Sequence, residues 1–234
     1  MISCAVVIAG GEGKRMRESG ATVPKPFVEV NNKMLISYIL DSLINNNINE
    51  IIIIEPYFYS LESTLKQLYP NVNFKFYKPR KKQSLIKNLI KIEKLIKNDF
   101  ILADSDIIIN EQSIQTFIEN YNSLKKFSSI AAVKEPKFEN NHYLGINNKT
   151  VNNINKKGIE NGVHGGFIYT FKKEVFKYLK EYEKMSNSSF MGFINFLIEK
   201  ESVISNYIDD VWDVDDMYDK EKTENLFLKN YKKD

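Results

Sequence analysis

The sequence predicts an α/β fold, a mainly parallel sheet with helices on both faces, and three observations predict it. Short, continuously apolar runs at residues 3–9, 50–54 and 100–103 have the length of strands buried on both faces. Segments with apolar residues at helical spacing separate them. The first run ends at Gly10, Gly11 and Gly13, a tight turn of the kind that joins a strand to the helix after it.

Each element follows in order. Residues 35–44 carry apolar side chains at 35, 36, 39, 40, 43 and 44, a helical period, so the first 54 residues read as a β-loop-α-β unit. The alternation continues with a helix near 61–69, a strand at 73–77, a helix over 84–97 and the strand at 100–103. Leu85, Ile86, Leu89, Ile90 and Ile96 share one face of the 84–97 helix, and lysines occupy the other. Such alternation implies right-handed crossovers and a ligand site at the carboxyl ends of the strands. Beyond Ser105 the order changes to one helix, strand-like runs at 129–133, 151–154 and 166–171, a helix pair, and a final strand at 203–208. No linker, repeat or low-complexity stretch divides the chain.

A chain of 234 residues buries roughly 70% of its unfolded surface and needs no staples. Its 33 basic and 30 acidic residues balance too evenly for a nucleic-acid binder. Lys78, Arg80, Lys81 and Lys82 make one basic run, which a solvated loop explains equally well. The single cysteine, Cys4, lies inside the first apolar run, which excludes an internal disulfide, favours a reducing compartment and reads as a buried strand residue. The opening residues lack a basic leader and run directly into glycines, so they read as a strand and not a signal peptide. No apolar stretch reaches the roughly 20 residues of a membrane span. A soluble, cytoplasmic protein with no nucleic-acid or membrane partner is expected; oligomeric state is open.

The most specific motif is Gly10-Gly11-Glu12-Gly13-Lys14-Arg15-Met16, followed by Pro24-Lys25-Pro26. Glycines at a strand end let backbone N–H groups approach phosphate oxygens, and Arg15 and Lys25 supply the charge that a triphosphate demands. The P-loop needs Ser or Thr after its lysine, where Arg15 stands, and the dinucleotide fingerprint needs a third glycine where Met16 stands. A glycine-rich turn with no ligand is the bland alternative. The second constellation is Ala103-Asp104-Ser105-Asp106 at a strand end, with Trp212-Asp213-Val214-Asp215-Asp216 far downstream. Hard carboxylates so placed suit Mg²⁺, which takes one or two of them with phosphate oxygens and water. Either cluster alone also reads as a solvated acidic turn.

Residues 5–43 resemble the opening of the sugar-1-phosphate nucleotidyltransferases, whose pattern is GGxGxRL, a gap, then PKP and an apolar segment leading to a helix. Met16 replaces the leucine. The resemblance implies a Rossmann-like, GT-A-like sheet with a smaller mixed β elaboration, in one domain over residues 1–234: a nucleotide-binding half, 1–110, and an acceptor-binding half, 111–234. It implies that Ala9, Gly10, Gly11 and Gly13 cradle the nucleotide and that Arg15 and Lys25 hold the triphosphate, Lys25 beside the reacting α-phosphate. Asp106 and Asp213 match the aspartates of the family's "GD" pair and "D-x-G-T" segment and thereby hold Mg²⁺. Asp104, taken with the nucleotide, and Asp215 each stand behind the ligands or cap a helix. Gln83 falls where the family has "G-T-A-x-S-L"; it reads a base edge or caps the helix that follows.

Further on, His142-Tyr143-Leu144-Gly145, then residues 151–158, then 163–169 resemble the family's "YG", "V-x-x-I-x-E-K-P" and "NAGIY" segments. This implies acceptor contacts from Gly145, Lys157 and Gly166, with Lys157 on the acceptor phosphate. Lys156 stands at the family's acidic sugar-binding position and Gly158 at its proline, so a sugar 1-phosphate is expected and another phosphomonoester, such as a phosphorylated amino alcohol, stays open. His164 reads as structural. The implied reaction joins a nucleoside monophosphate from an NTP to the acceptor, releases pyrophosphate, and gives an NDP-sugar or CDP-linked product for surface polysaccharide or glycan synthesis. Two rivals remain: a metal-dependent glycosyltransferase, which would lack the GGxGxR and PKP pair, and a catalytically inactive nucleotide-sugar sensor, against which Arg15, Lys25, Asp106 and Asp213 speak.

Overall fold

The computed structural model describes residues 2–56, 58–124, 127–133, 142–156, 159, 162–185, 189–209 and 211–231, the last five as backbone. The first half comprises β1 (Cys4–Ile8), α1 (Lys14–Glu18), β2 (Glu29–Val30), β3 (Lys33–Met34), α2 (Leu35–Asn45), β4 (Glu50–Ile54), α3 (Glu62–Leu68), β5 (Asn73–Tyr77), α4 (Leu85–Ile92) and β6 (Phe100–Asp104). The second comprises β7 (Ile107–Ile109), α5 (Glu111–Ser123), β8 (Ser128–Val133), β9 (Tyr143–Asn147), β10 (Thr150–Asn155), β11 (Val163–Phe171), α6 (Val175–Lys184), α7 (Phe190–Lys200), β12 (Val203–Tyr207), β13 (Val211–Asp213) and α8 (Met217–Tyr231). None of the described helices is long and apolar enough to cross a membrane.

Nine strands form one sheet in the order β5-β4-β1-β6-β11-β8-β12-β10-β9, with β9 also paired to β11. From β5 to β6 neighbouring strands are parallel, as the β-α-β reading requires. β11 then enters antiparallel between β6 and β8, so the Rossmann-like sheet is mixed and both halves of the chain build it. In register, Ile8 lies opposite both Ile54 and Asp104, so β1, β4 and β6 finish at one level. That shared edge carries the site.

β1, β4 and β6 are apolar almost throughout because both of their faces meet helices. Alternate residues divide as the period of two demands. Ala5 and Val7 join Ile51 and Ile53 in a core beneath α2, α3 and α5, and Cys4 and Val6 join Ile52 and Ile54 in a core beneath α4, α6 and α7. Cys4 is buried and free, and burial first, then the nearby Glu50 carboxylate, pushes its thiol up to about 12, so it is an inert packing residue. The helix expected over 84–97 ends early: α4 stops at Ile92 and a single 3-10 turn, Glu93–Leu95, follows. There Lys173 Nζ donates to the carbonyls of Glu93 and Ile96, satisfying helix-end acceptors, while Ile96 stays in the same core. Ser84, not Gln83, caps α4, its Oγ accepting from the Lys87 N–H. The β2–β3 and β7–β13 pairs and α8 escaped the sequence reading; the paired strands are only two or three residues long, too short for a period to show.

Candidate active site

Local structure brings two cations and three carboxylates to the carboxyl edge of the sheet. The loop after β1 turns at Gly13, whose φ of +57° starts α1 in the left-handed region. A Cβ there would lie 3.2 Å from Lys25 Cβ, so glycine serves both the turn and the packing of Lys25. α1 presents Arg15 towards the site while Met16, buried, anchors the helix to Val28, Leu35, Ile108, Trp212 and Val214. Lys25 starts a 3-10 turn, Lys25–Phe27, after an extended Pro24. Asp106 follows β6. β13 pairs antiparallel with β7, setting Asp213 opposite Ile107, and the Val214 N–H donates to the Asp106 carbonyl at 3.1 Å. A two-strand ribbon thus joins acids more than a hundred residues apart.

The side chains converge. Lys25 Nζ lies 2.6 Å from Asp106 Oδ2 and 2.7 Å from Asp215 Oδ1, and Arg15 holds the other Asp215 oxygen at 2.7 Å. Asp106, Asp213 and Asp215 offer oxygens within 4.8 Å of one another. Burial opposes the Lys25 charge, but Asp106 and Asp215 outweigh it and hold the ammonium above its usual pKa. Burial first, then Asp106, lifts Asp104 and Asp213 well above the ordinary carboxyl value; Asp213 adds to the rise at Asp104 and Asp215 to that at Asp213. The site holds more acid than its own cations neutralise. Three converging carboxylates are the hard-oxygen donor set of a divalent cation such as Mg²⁺, so the residues fit a metal.

Two cavities adjoin here. The first, about 290 Å³, is lined by Ala9, Gly11, Arg15, Lys25, Asp104, Asp106, Asp213 and Asp215 among others. The second, about 270 Å³, is walled by Leu85, Ile154, Tyr169, Phe190 and Met191. Ile8, Asp104, His142, Lys156 and Gly166 line both. Gly166 has φ +91°, and a Cβ on it would meet Ile154 Cδ1 and Tyr169 Oη at 3.1 Å, so bare backbone keeps the passage open. His142 is held below its ordinary pKa by burial and then by Lys156.

Not every expected residue converges. A Cβ on Gly10 would meet the Glu55 carbonyl at 3.4 Å and one on Gly13 would meet Lys25, so both glycines shape the loop without lining either cavity. Gly145 is absent from both linings; it pairs with Asn153 across β9 and β10, where a side chain would collide with Asn153. Gln83 Nε2 donates to Tyr77 Oη at 2.9 Å, so its helix-cap reading is replaced by Ser84. Lys157 lies outside the described residues. His164 lines neither cavity and packs its ring 4.6 Å from that of Tyr143, as a structural residue does. Sequence reasoning left Asp215 undecided and gave His142 and Lys156 no role. The two-residue spacing of Asp213 and Asp215, which puts both on one side of an extended chain, was the available signal.

The nucleotidyl transferase family model matches residues 4–219, and the chain belongs to that family. It is 23% identical over 237 residues to the bifunctional protein GlmU of Methanococcus vannielii, a match that takes in 97% of this chain and 55% of that protein. It is 22% identical over 200 residues to the D-glycero-alpha-D-manno-heptose 1-phosphate guanylyltransferase of Campylobacter jejuni, covering 80% and 84% of the two chains. The solved inositol-1-phosphate CTP transferase from T. maritima superposes with a TM-score of 0.80 at 17% identity, over 95% of this chain and 94% of that one. The chain spans about half the length of the first curated relatives it matches. The glycosyltransferase alternative finds no such support.

Proposed function

We propose that this chain transfers a nucleoside monophosphate from an NTP to a phosphorylated acceptor, a sugar 1-phosphate by family, with release of pyrophosphate. The observation that carries it is the meeting of Arg15 and Lys25 with Asp106, Asp213 and Asp215 beside a glycine loop. One acceptor phosphate oxygen forms a bond to the α-phosphorus as the bond from that phosphorus to the bridging α–β oxygen breaks. The acceptor phosphate is already an anion near neutral pH and needs no protein base. Ala9 and Gly11 present backbone to the triphosphate on a loop that Gly10 and Gly13 shape, Arg15 and Lys25 neutralise it, and Lys25 sits closest to the reacting phosphorus. Such positioning and charge stabilisation is the main source of rate in this chemistry.

Asp106, Asp213 and Asp215 would hold Mg²⁺, which when bound supplies Lewis-acid stabilisation of phosphate charge. Gly166, Lys156 and Lys157 serve the acceptor: its phosphate lies at the passage between the cavities and its body in the second. Residues 1–110 and 111–234 act as the nucleotide and acceptor halves of one domain, and the reaction belongs in the cytoplasm, where NTPs are available. The names of the Campylobacter and T. maritima relatives, a heptose 1-phosphate guanylyltransferase and an inositol-1-phosphate CTP transferase, support an acceptor of this class.

The test is a screen of four NTPs against sugar 1-phosphates and phosphocholine, read by pyrophosphate release. One NTP–acceptor pair should release pyrophosphate, stop with EDTA and resume with Mg²⁺. No release from any pair, or release that ignores the acceptor, would overturn the reading.

A further inference from the structure

Lys25 already occupies the place among the carboxylates that a metal would need. Its Nζ takes one oxygen from Asp106 at 2.6 Å and one from Asp215 at 2.7 Å, and Arg15 takes the remaining Asp215 oxygen. Only Asp213 of the three is without a cationic partner among the described residues. An ammonium seated between Asp106 and Asp215 competes with a divalent cation for these carboxylates, because it lies against their oxygens and like charges in contact repel strongly at low dielectric. The lysine is seated, not dangling: prolines flank it, Gly13 packs on its Cβ, and its side chain is only 12% exposed.

We propose that Lys25 is a built-in counter-ion, which fills the metal position in the nucleotide-free protein and leaves it when a triphosphate offers the ammonium a new anionic partner. The inference rests on the nucleotide-binding reading of the first cavity. The same swing that brings Lys25 onto phosphate oxygens frees Asp106 and Asp215 to bind the cation. Metal and nucleotide affinities are therefore coupled, and the coupling is reciprocal. The protein takes up a bare divalent ion poorly and the ion–nucleotide pair well.

Titration with Mn²⁺, followed by the electron-spin signal of the free ion and with no nucleotide present, tests this. Lys25→Met keeps the apolar stem and removes the charge; Lys14→Met, at an exposed position at the start of α1, controls for net charge. Lys25→Met should bind Mn²⁺ roughly 10-fold or more tightly than both wild type and Lys14→Met, a size typical of site-to-site coupling. Its Tm should also rise further with Mn²⁺ than that of wild type. Equal or weaker Mn²⁺ binding by a folded Lys25→Met, with Lys25→Gln as a second folded variant, would overturn the counter-ion role. If a non-hydrolysable NTP analogue binds yet the Mn²⁺ affinities match, the counter-ion role fails and the nucleotide reading stands. If no analogue binds but Lys25→Met still gains Mn²⁺ affinity, the reverse holds.

Discussion

Among single residues, Asp213 shows how the site's charge is balanced against its stability. Burial, then the neighbouring Asp106 and Asp215 carboxylates, raises its pKa well above the ordinary 3.8. A raised folded-state pKa means that the native protein binds this proton before the unfolded chain does. The penalty of the charged form is thus full above the raised value and is relieved as pH falls through it. Asp213→Asn should therefore raise the Tm of the metal-free protein at pH 7, with a gain that shrinks on acidification towards pH 4. The same change should lower kcat by roughly 10²-fold or more, the usual scale for losing one charge-stabilising group. A lower Tm in EDTA at pH 7 would contradict the charge account, and an unchanged kcat would remove Asp213 from the site.

For elements, the decisive features are a two-strand ribbon and a kinked strand. The pairing of β7 with β13 sets Asp213 beside Asp106. β11 matters for its irregularity: its register against β8 shifts between Gly165 and Tyr169, and the Tyr169 hydroxyl donates to the Gly166 carbonyl at 2.7 Å. Gly166→Ala forces a Cβ into a φ of +91° and against Ile154 and Tyr169. It should cost about 1–3 kcal/mol in urea unfolding, the usual range for such strain, and raise the acceptor KM while sparing the NTP KM. Wild-type stability and acceptor kinetics would show that the passage tolerates a side chain.

What the sequence revealed follows from what leaves a local trace. Continuous apolar runs marked β1, β4 and β6 to within a residue, because strands buried on both faces cannot hide their composition. The glycine loop, Lys25, Asp106 and Asp213 were legible through motif chemistry. Asp215 was only suspected, and Lys156 and His142 were given no role, because their place depends on how β9, β10 and β11 cross at the far side of β6, a long-range arrangement that no short window encodes. Gly145, read as an acceptor contact, stands where a side chain would collide with Asn153.

Over the whole molecule, both halves of the chain contribute strands to one sheet and meet across β6 and β11, so the two cavities open on a common set of residues. That geometry suits the proposed transfer between two bound substrates, in which an acceptor phosphate oxygen attacks the α-phosphorus and stays in the product. The measurement that tests this most directly uses an acceptor whose phosphate oxygens are labelled with ¹⁸O, incubated with NTP and Mg²⁺, and follows the label by mass spectrometry. Direct attack by the acceptor predicts that all the label stays in the nucleotide-linked product and that the pyrophosphate is unlabelled. Label in pyrophosphate or in free phosphate, or a nucleoside monophosphate as the only nucleotide product, would contradict it.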